Sequence, residues 1–284
     1  MSGLFRFCYG LTSLDVSPLN TNEVTTLNNV FANCVNLTSL DLSSWNTSKV
    51  TDMSGMFYNG TTWTSKLKEI NLKNFNTSKV IDFHSMFGNC DSLETLDLSS
   101  FNPSEATDMH EMFADCISLT SIKFGNFNTS KVTNMRGMFD DCSSLQSIDT
   151  STFNTSSVTD MSTMFQNCNA LTSLNLSSFN TANVTNMTSM FKNCSALTSI
   201  TFGADWASNT AITELDYRVI LLNHDSAVDL FNKLATRTDS PVLRLNYTTY
   251  SNTSSEEKSI ASSKGWTVKT TGTDGSEIAY VPAT

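Results

Sequence analysis

Charge is scarce in this sequence, and basic charge scarcest. Only 15% of its 284 residues are charged, and 17 Lys and Arg face 27 Asp and Glu, for a formal net charge of −10. Nucleic-acid binding needs clustered cations to neutralise phosphates, so that partner is excluded, as is an anionic membrane surface. No apolar run reaches the ~18 residues that mark a membrane-spanning helix, so no membrane insertion is expected. Met1 to Gly10 lacks the basic start, apolar stretch and cleavage site of a signal peptide. There is no Cys-x-x-Cys, no His at zinc spacing from a Cys, no glycine-rich phosphate loop and no Ser-His-Asp set. No metal, no cofactor and no enzymatic activity are therefore expected.

What the chain does contain is repetition. The seven cysteines stand at 8, 34, 90, 116, 142, 168 and 194, so every gap is 26 residues except one of 56. In that exception Gly60 takes the cysteine's place and four extra residues follow before Leu67. One unit runs from Phe31-Ala-Asn-Cys34 through Leu37-Thr-Ser-Leu40-Asp-Leu42 to Trp45-Asn46-Thr47 and Val50-Thr-Asp-Met53-Ser-Gly-Met56. Eleven of the 12 methionines fall in the Met53 and Met56 columns. A period of this length is the mark of stacked architectures in which one unit cannot bury its apolar face alone.

Leu37-x-x-Leu40-x-Leu42 alternates as a short strand, with Leu40 and Leu42 inward and Ser39, Asp41 and Ser43 outward. Val50-x-x-Met53 reads as a second short extended segment, and Met56-Phe57 as one helical or 3₁₀ turn. The expected fold is α/β: a right-handed leucine-rich-repeat solenoid of eight coils over 4–203. Its strands form one continuous parallel sheet from 11–16, 38–43, 68–73, 94–99, 120–125, 146–151, 172–177 and 198–202, with short helical turns on the convex side. The third coil carries the insertion. From 204 to 284 the period stops and an α/β capping segment is expected. It holds a helix through Ala227, Leu230, Phe231 and Leu234 with Asp225 as its N-cap, and a strand at Val242–Leu245. A capping box at Ser254–Glu257 opens a helix that ends at Gly265, and extended chain resumes at Trp266–Val268. Leu4-Phe-Arg-Phe-Cys8 is already repeat, which leaves the first coil open or covered by a preceding domain or another subunit.

The unit Met-Phe-x-Asn-Cys-x-x-Leu-Thr-Ser-Leu-Asp-Leu-Ser-Ser-Phe-Asn-Thr-Ser-x-Val-Thr-Asp-Met resembles the BspA-like leucine-rich-repeat surface proteins, which carry a bacterial surface repeat of this length. The resemblance covers roughly 4–203. The tail Ser255-Glu-Glu-Lys-Ser-Ile-Ala-Ser-Ser-Lys-Gly-Trp266 resembles the end of such repeats in surface and phage structural proteins. The resemblance implies an adhesion role at a cell surface, secreted or on a virion, with extracellular protein or glycan as ligand. It supplies no catalytic residue. A phage tail or baseplate receptor-binding component and a structural spacer are the alternative readings.

Two places are candidate ligand-binding surfaces. Asp41, Asn71, Asp97, Lys123 and Asp149 occupy one outward column of the strands, a glycan- or protein-binding face or a solubilising one. Tyr58 and Trp63 flank and occupy the insertion, where aromatic side chains form a contact site or pack on the neighbouring coil. Three other columns carry structural readings beside functional ones. His84 and His110, with Arg136 next, form a short basic stripe that binds an anion, senses pH near 6 or is merely solvated. The column of Asp52, Asp82, Asp108, Asn134, Asp160 and Asn186 suggests calcium or, more simply, turn capping. The cysteines read as buried free thiols, because stacked coils hold them too far apart for disulfides.

Overall fold

The computed structural model describes residues 1–62 and 64–281. It is a mixed α/β protein with mostly short strands in small parallel sheets and few helices. The strands are β1 (Ser39–Asp41), β2 (Glu69–Asn71), β3 (Thr95–Leu98), β4 (Ser121–Phe124), β5 (Ser173–Asn175) and β6 (Ser199–Thr201). They pair in parallel as β1–β2, β3–β4 and β5–β6, and Leu40 meets Ile70, Leu96 meets Ile122 and Leu174 meets Ile200. The single expected sheet is thus three two-stranded pieces, and 11–16 and 146–151 form no strand. At the second of these Thr150 replaces an inward Leu, and its hydroxyl donates to Asn175 O (2.5 Å). At the same place in other units the backbone N–H serves instead, as Leu42 N does to Asn71 O and Leu176 N to Thr201 O.

The unbroken ladder lies on the other side of the units. Parallel bridges run Thr26, Asp52, Asp82, Asp108, Asn134, Asp160, Asn186, each residue to the next. This is the Val50-x-x-Met53 segment, extended as its sequence suggests. The next stretch is not helical. In 27–34, alternate amides serve two directions: Asn29 N and Phe31 N donate to Ser54 O and Met56 O of the following unit. Val30 N and Ala32 N donate back to Leu27 O and Asn29 O. Asn29 and Asn33 have positive φ (54° and 59°), and the pattern recurs at Ser85 and Asn89, Glu111 and Asp115, and Thr163 and Asn167. A left-handed residue every fourth position breaks an α-helix before it can close a second turn, so the expected helical turns are successive tight turns.

The core is built from columns. Phe5, Phe31, Phe57, Phe87, Phe113, Phe139, Phe165 and Phe191 form one ring ladder with centroids 5.4–6.1 Å apart. Met53, Met56 and their equivalents are buried beside it. The cysteines are free and six of the seven are buried, with Cys8 half-buried. Each buried thiol from Cys116 to Cys194 donates to the Phe carbonyl 29 residues earlier, at 2.9–3.2 Å. Burial pushes Cys34 up to about 11, Cys116 and Cys194 to about 12, and the other three well above their ordinary value.

A further clasp joins the units on the Asn-Thr corner. The Thr155 hydroxyl donates to Asn180 O (2.9 Å) and accepts from Asn180 N (2.8 Å), and Thr129 does the same to Asn154. These threonines are buried. Pro103 takes the place of one of them, and there Asn128 N donates within its own unit to Asn126 O.

Beyond residue 204 lie β7 (Glu214–Tyr217), α1 (His224–Lys233), β8 (Val242–Leu245), α2 (Tyr247–Asn252), α3 (Ser255–Ser263), β9 (Thr267–Thr271) and β10 (Glu277–Ala279). The sheet order is β10-β9-β8-β7, parallel except for the β10 pairing. α1 covers the edge of β6, where Ser226 Oγ accepts from Ile200 N and Asp229 Oδ2 from Phe202 N. The N-cap of α1 is Asn223, not Asp225; Asn223 Oδ1 accepts from Ser226 N. The capping box of Ser254 and Glu257 is formed, and Gly265 follows α3 at φ +86°, a conformation that costs glycine least. Among the described residues no helix is long and apolar enough to cross a membrane. At the other end the first unit exposes Leu4 and Phe7 (52% and 48%).

Candidate functional site

The outward column is where the sequence puts it. Asp41, Asn71, Asp97, Lys123 and Asp149 are all exposed, and strand register sets Asp41 beside Asn71 and Asp97 beside Lys123. Each acidic or amide side chain is locked by its own turn. Asp41, Asp97 and Asp149 each accept through Oδ1 from the N–H two residues on (Ser43, Ser99, Ser151) at 2.9 Å, and Asn71 accepts from Lys73 N (3.2 Å). This Asx geometry fixes the side chain and leaves the second carboxylate oxygen outward. Serine hydroxyl and amide donors hold Asp41 and Asp149 below the usual carboxylate range. Asp97 falls to about 2, through Ser99 first and then Lys123, whose Nζ lies 3.0 Å from Oδ2. The column is a fixed row of polar groups at one-unit spacing, suited to hydrogen bonding.

Tyr58 sits elsewhere. With Thr61 of the insertion it lines a shallow groove of about 220 Å³ shared with Ser85, Gly88, Asn89, Glu111, Ala114, Asp115 and Asp140. None of the outward column reaches this groove, so the two candidate surfaces are separate. Trp63, the other aromatic expected here, lies outside the described residues. The groove is acidic, which the linear sequence does not reveal, since its residues come from four successive units. Burial, opposed by a hydrogen bond from Gln166 and reinforced by Asp141 and Asp115, raises Asp140 to about 6. Burial and the neighbouring carboxylates raise Asp115 as well. The signal present in the sequence is Asp115 and Asp141, one period apart, with Asp140 next to the second.

Each member of the basic stripe faces a carboxylate, from its own turn or from the unit before. His84 and His110 stack at 4.8 Å, but their Nδ1 atoms lie 2.9 and 2.7 Å from Asp82 and Asp108. Arg136 pairs with Glu111. The hydrogen bond to Asp82 raises His84 above its ordinary value, against a smaller effect of burial. The Asp52 column caps turns: Asp52, Asp108 and Asp160 accept from Ser54, His110 and Ser162 N–H at 2.8–2.9 Å. Among the described residues no group of three His, Cys, Asp or Glu could hold a metal ion.

Columns of identical contacts repeated from unit to unit define a mixed α/β repeat protein. The chain belongs to the family described as Mycoplasma protein of unknown function, DUF285, whose model matches residues 1–74, 68–123 and 119–217. No curated protein matches the chain.

Proposed function

We propose that the chain is a surface-exposed adhesion or ligand-binding module: a BspA-like leucine-rich-repeat solenoid, capped beyond residue 204, that recognises an extended polar ligand along its outward column. The ligand is an extracellular protein or glycan. The supporting observation is the fixed column itself, in which Asp41, Asp97 and Asp149 are exposed yet held rigid by Asx turns. Rigid side chains lose little entropy when a ligand arrives, and repetition along the stack suits a ligand that is itself a polymer. Among the described residues the face holds no aromatic anchor of the kind that dominates tight interfaces. Each module therefore binds weakly, and useful retention comes from many copies on one surface. The exposed apolar residues Leu4 and Phe7 suit a preceding domain or another subunit lying on the first coil.

The test is a screen of immobilised glycans and extracellular matrix proteins against the protein, free and coupled at high density to beads. The expected result is weak monovalent binding, at a Kd of about 1 µM or above, and strong bead retention. The triple variant Asp41→Lys, Asp97→Lys, Asp149→Lys should keep its circular dichroism and lose retention. Undiminished retention by the folded variant rules the column out.

A further inference from the structure

Every unit but the last passes its hydrogen bonds forward. In 161–167 the amides of Thr163, Phe165 and Asn167 donate to Thr188 O, Met190 O and Lys192 O at 2.8–3.0 Å, and each earlier unit from 27–33 onward does the same for its successor. The equivalent amides of the last unit, on Ser189, Phe191 and Asn193, have no hydrogen-bond partner among the described residues. Where the next turn row would lie there is instead a slot of about 400 Å³, lined on one side by 187–192 and on the other by β7 and Val219. Among the described residues β7 pairs only with β8, so both walls carry backbone with unused hydrogen-bonding capacity.

We propose that this slot docks an extended segment of a partner polypeptide, whose alternate carbonyls accept from Ser189, Phe191 and Asn193. The chemistry of the occupant follows from what fills the same position in every earlier unit: an apolar-x-x-apolar-Phe segment, from Leu27-Asn-Asn-Val30-Phe31 to Met161-Ser-Thr-Met164-Phe165, with the apolar side chains buried and polar residues between them. The slot offers a matching apolar floor in Met190, Phe191 and Leu215, each 2–3% exposed. Its acidic groups are already paired, Glu214 with Arg244 at 3.0 Å and Asp216 with Arg218 at 2.6 Å, and Lys192, also in the lining, is exposed to solvent, so the apolar floor sets the chemistry of the occupant. Strand addition of this kind draws affinity from the main chain and specificity from the alternate side chains. The site is separate from the outward column and stands or falls independently of it.

The probe is a synthetic peptide of residues 161–168, Met-Ser-Thr-Met-Phe-Gln-Asn-Cys, with its last residue changed by Cys168→Ser and both ends blocked. Amide hydrogen exchange is followed by NMR with and without it. In the free protein Ser189, Phe191 and Asn193 should exchange far faster than Thr163, Phe165 and Asn167, and saturating peptide should slow them at least about tenfold. An analogue with esters at the Ser162, Met164 and Gln166 carbonyls, which are weaker acceptors, should bind about tenfold more weakly. Val219→Trp, at a residue 48% exposed, should fold normally and abolish binding. Three results overturn the proposal. One is unchanged exchange at these amides under saturating peptide. Another is protection already present in the dilute free protein. The third is protection that appears only as the protein is concentrated without peptide, which assigns the slot to a second copy of this chain.

Discussion

Thr155→Val removes a hydroxyl and keeps the shape of the side chain, so it isolates the clasp between units. In the native protein that hydroxyl both donates to Asn180 O and accepts from Asn180 N, at 2.9 and 2.8 Å, on a residue 1% exposed. A net ~0.5–1.5 kcal/mol for each bond, with a further cost for the partner groups left unmatched at a partly buried site, gives a loss of about 2 kcal/mol. The exposed Thr133, whose hydroxyl bonds Thr107 O, is the control: Thr133→Val should change stability by less than ~0.5 kcal/mol. Urea denaturation followed by circular dichroism measures both, provided the slope of the transition is the same in parent and variants. Because units in a stack are stabilised chiefly by their neighbours, hydrogen exchange should also show the loss centred on the units holding Thr155 and Asn180. A Thr155→Val loss no greater than the Thr133→Val loss would refute the clasp as a stabilising element.

Other expectations follow from burial and charge. Thiol labelling of the native protein should modify Cys8 first and the six buried cysteines only after unfolding, because burial blocks reagent and raises the thiol pKa; rapid native labelling of several thiols would contradict the inward column. His84 should titrate above 6.5 by NMR. Its contribution to stability should be complete below that value and vanish as pH rises through the raised pKa, and His84→Gln should remove that dependence. Asp140, raised to about 6 from 3.8, destabilises the fold as it ionises, so Asp140→Asn should raise Tm at pH 7 and leave it unchanged near pH 3. The gain should stay below ~1 kcal/mol because solvent screens a half-exposed group. Hydrogen exchange should find the unit around Leu4 and Phe7 opening before the interior units, since those side chains are half exposed; equal protection at both ends would mean that the first unit is covered.

The columns were legible because a fixed period makes each residue type report its own environment eight times over. Cys, Met and Phe therefore read as core, and the Asp41 column as outward. The tight turns were not legible as such. Met56-Phe57 and its equivalents have helical composition, and only the positive φ at Asn33, Asp115 and Asn167 excludes a helix. Asn before Cys was the visible sign, since asparagine tolerates that region better than most residues. One of the breaks in the expected sheet, at 146–151, coincides with Thr150, where a hydroxyl takes the carbonyl that a backbone amide bonds in other units; no substitution of this kind marks the breaks at 11–16 and between β2 and β3. Choosing Asp225 over Asn223 as N-cap failed because Asn223-His-Asp225 offers two capping side chains within three residues, and only the geometry shows which one reaches Ser226 N. The acidic groove escaped sequence reasoning because its residues come from four units, and the repeat was read down columns rather than across them.

Carboxylate footprinting of the parent protein, bound to whichever immobilised ligand retains it, tests the central claim most directly. If the outward column is the binding surface, labelling of Asp41, Asp97 and Asp149 should fall together on binding, while Asp115 and Asp140 label as in the free protein. Undiminished labelling of the three with loss at Asp115 and Asp140 would contradict the account and move the site to the groove beside Tyr58.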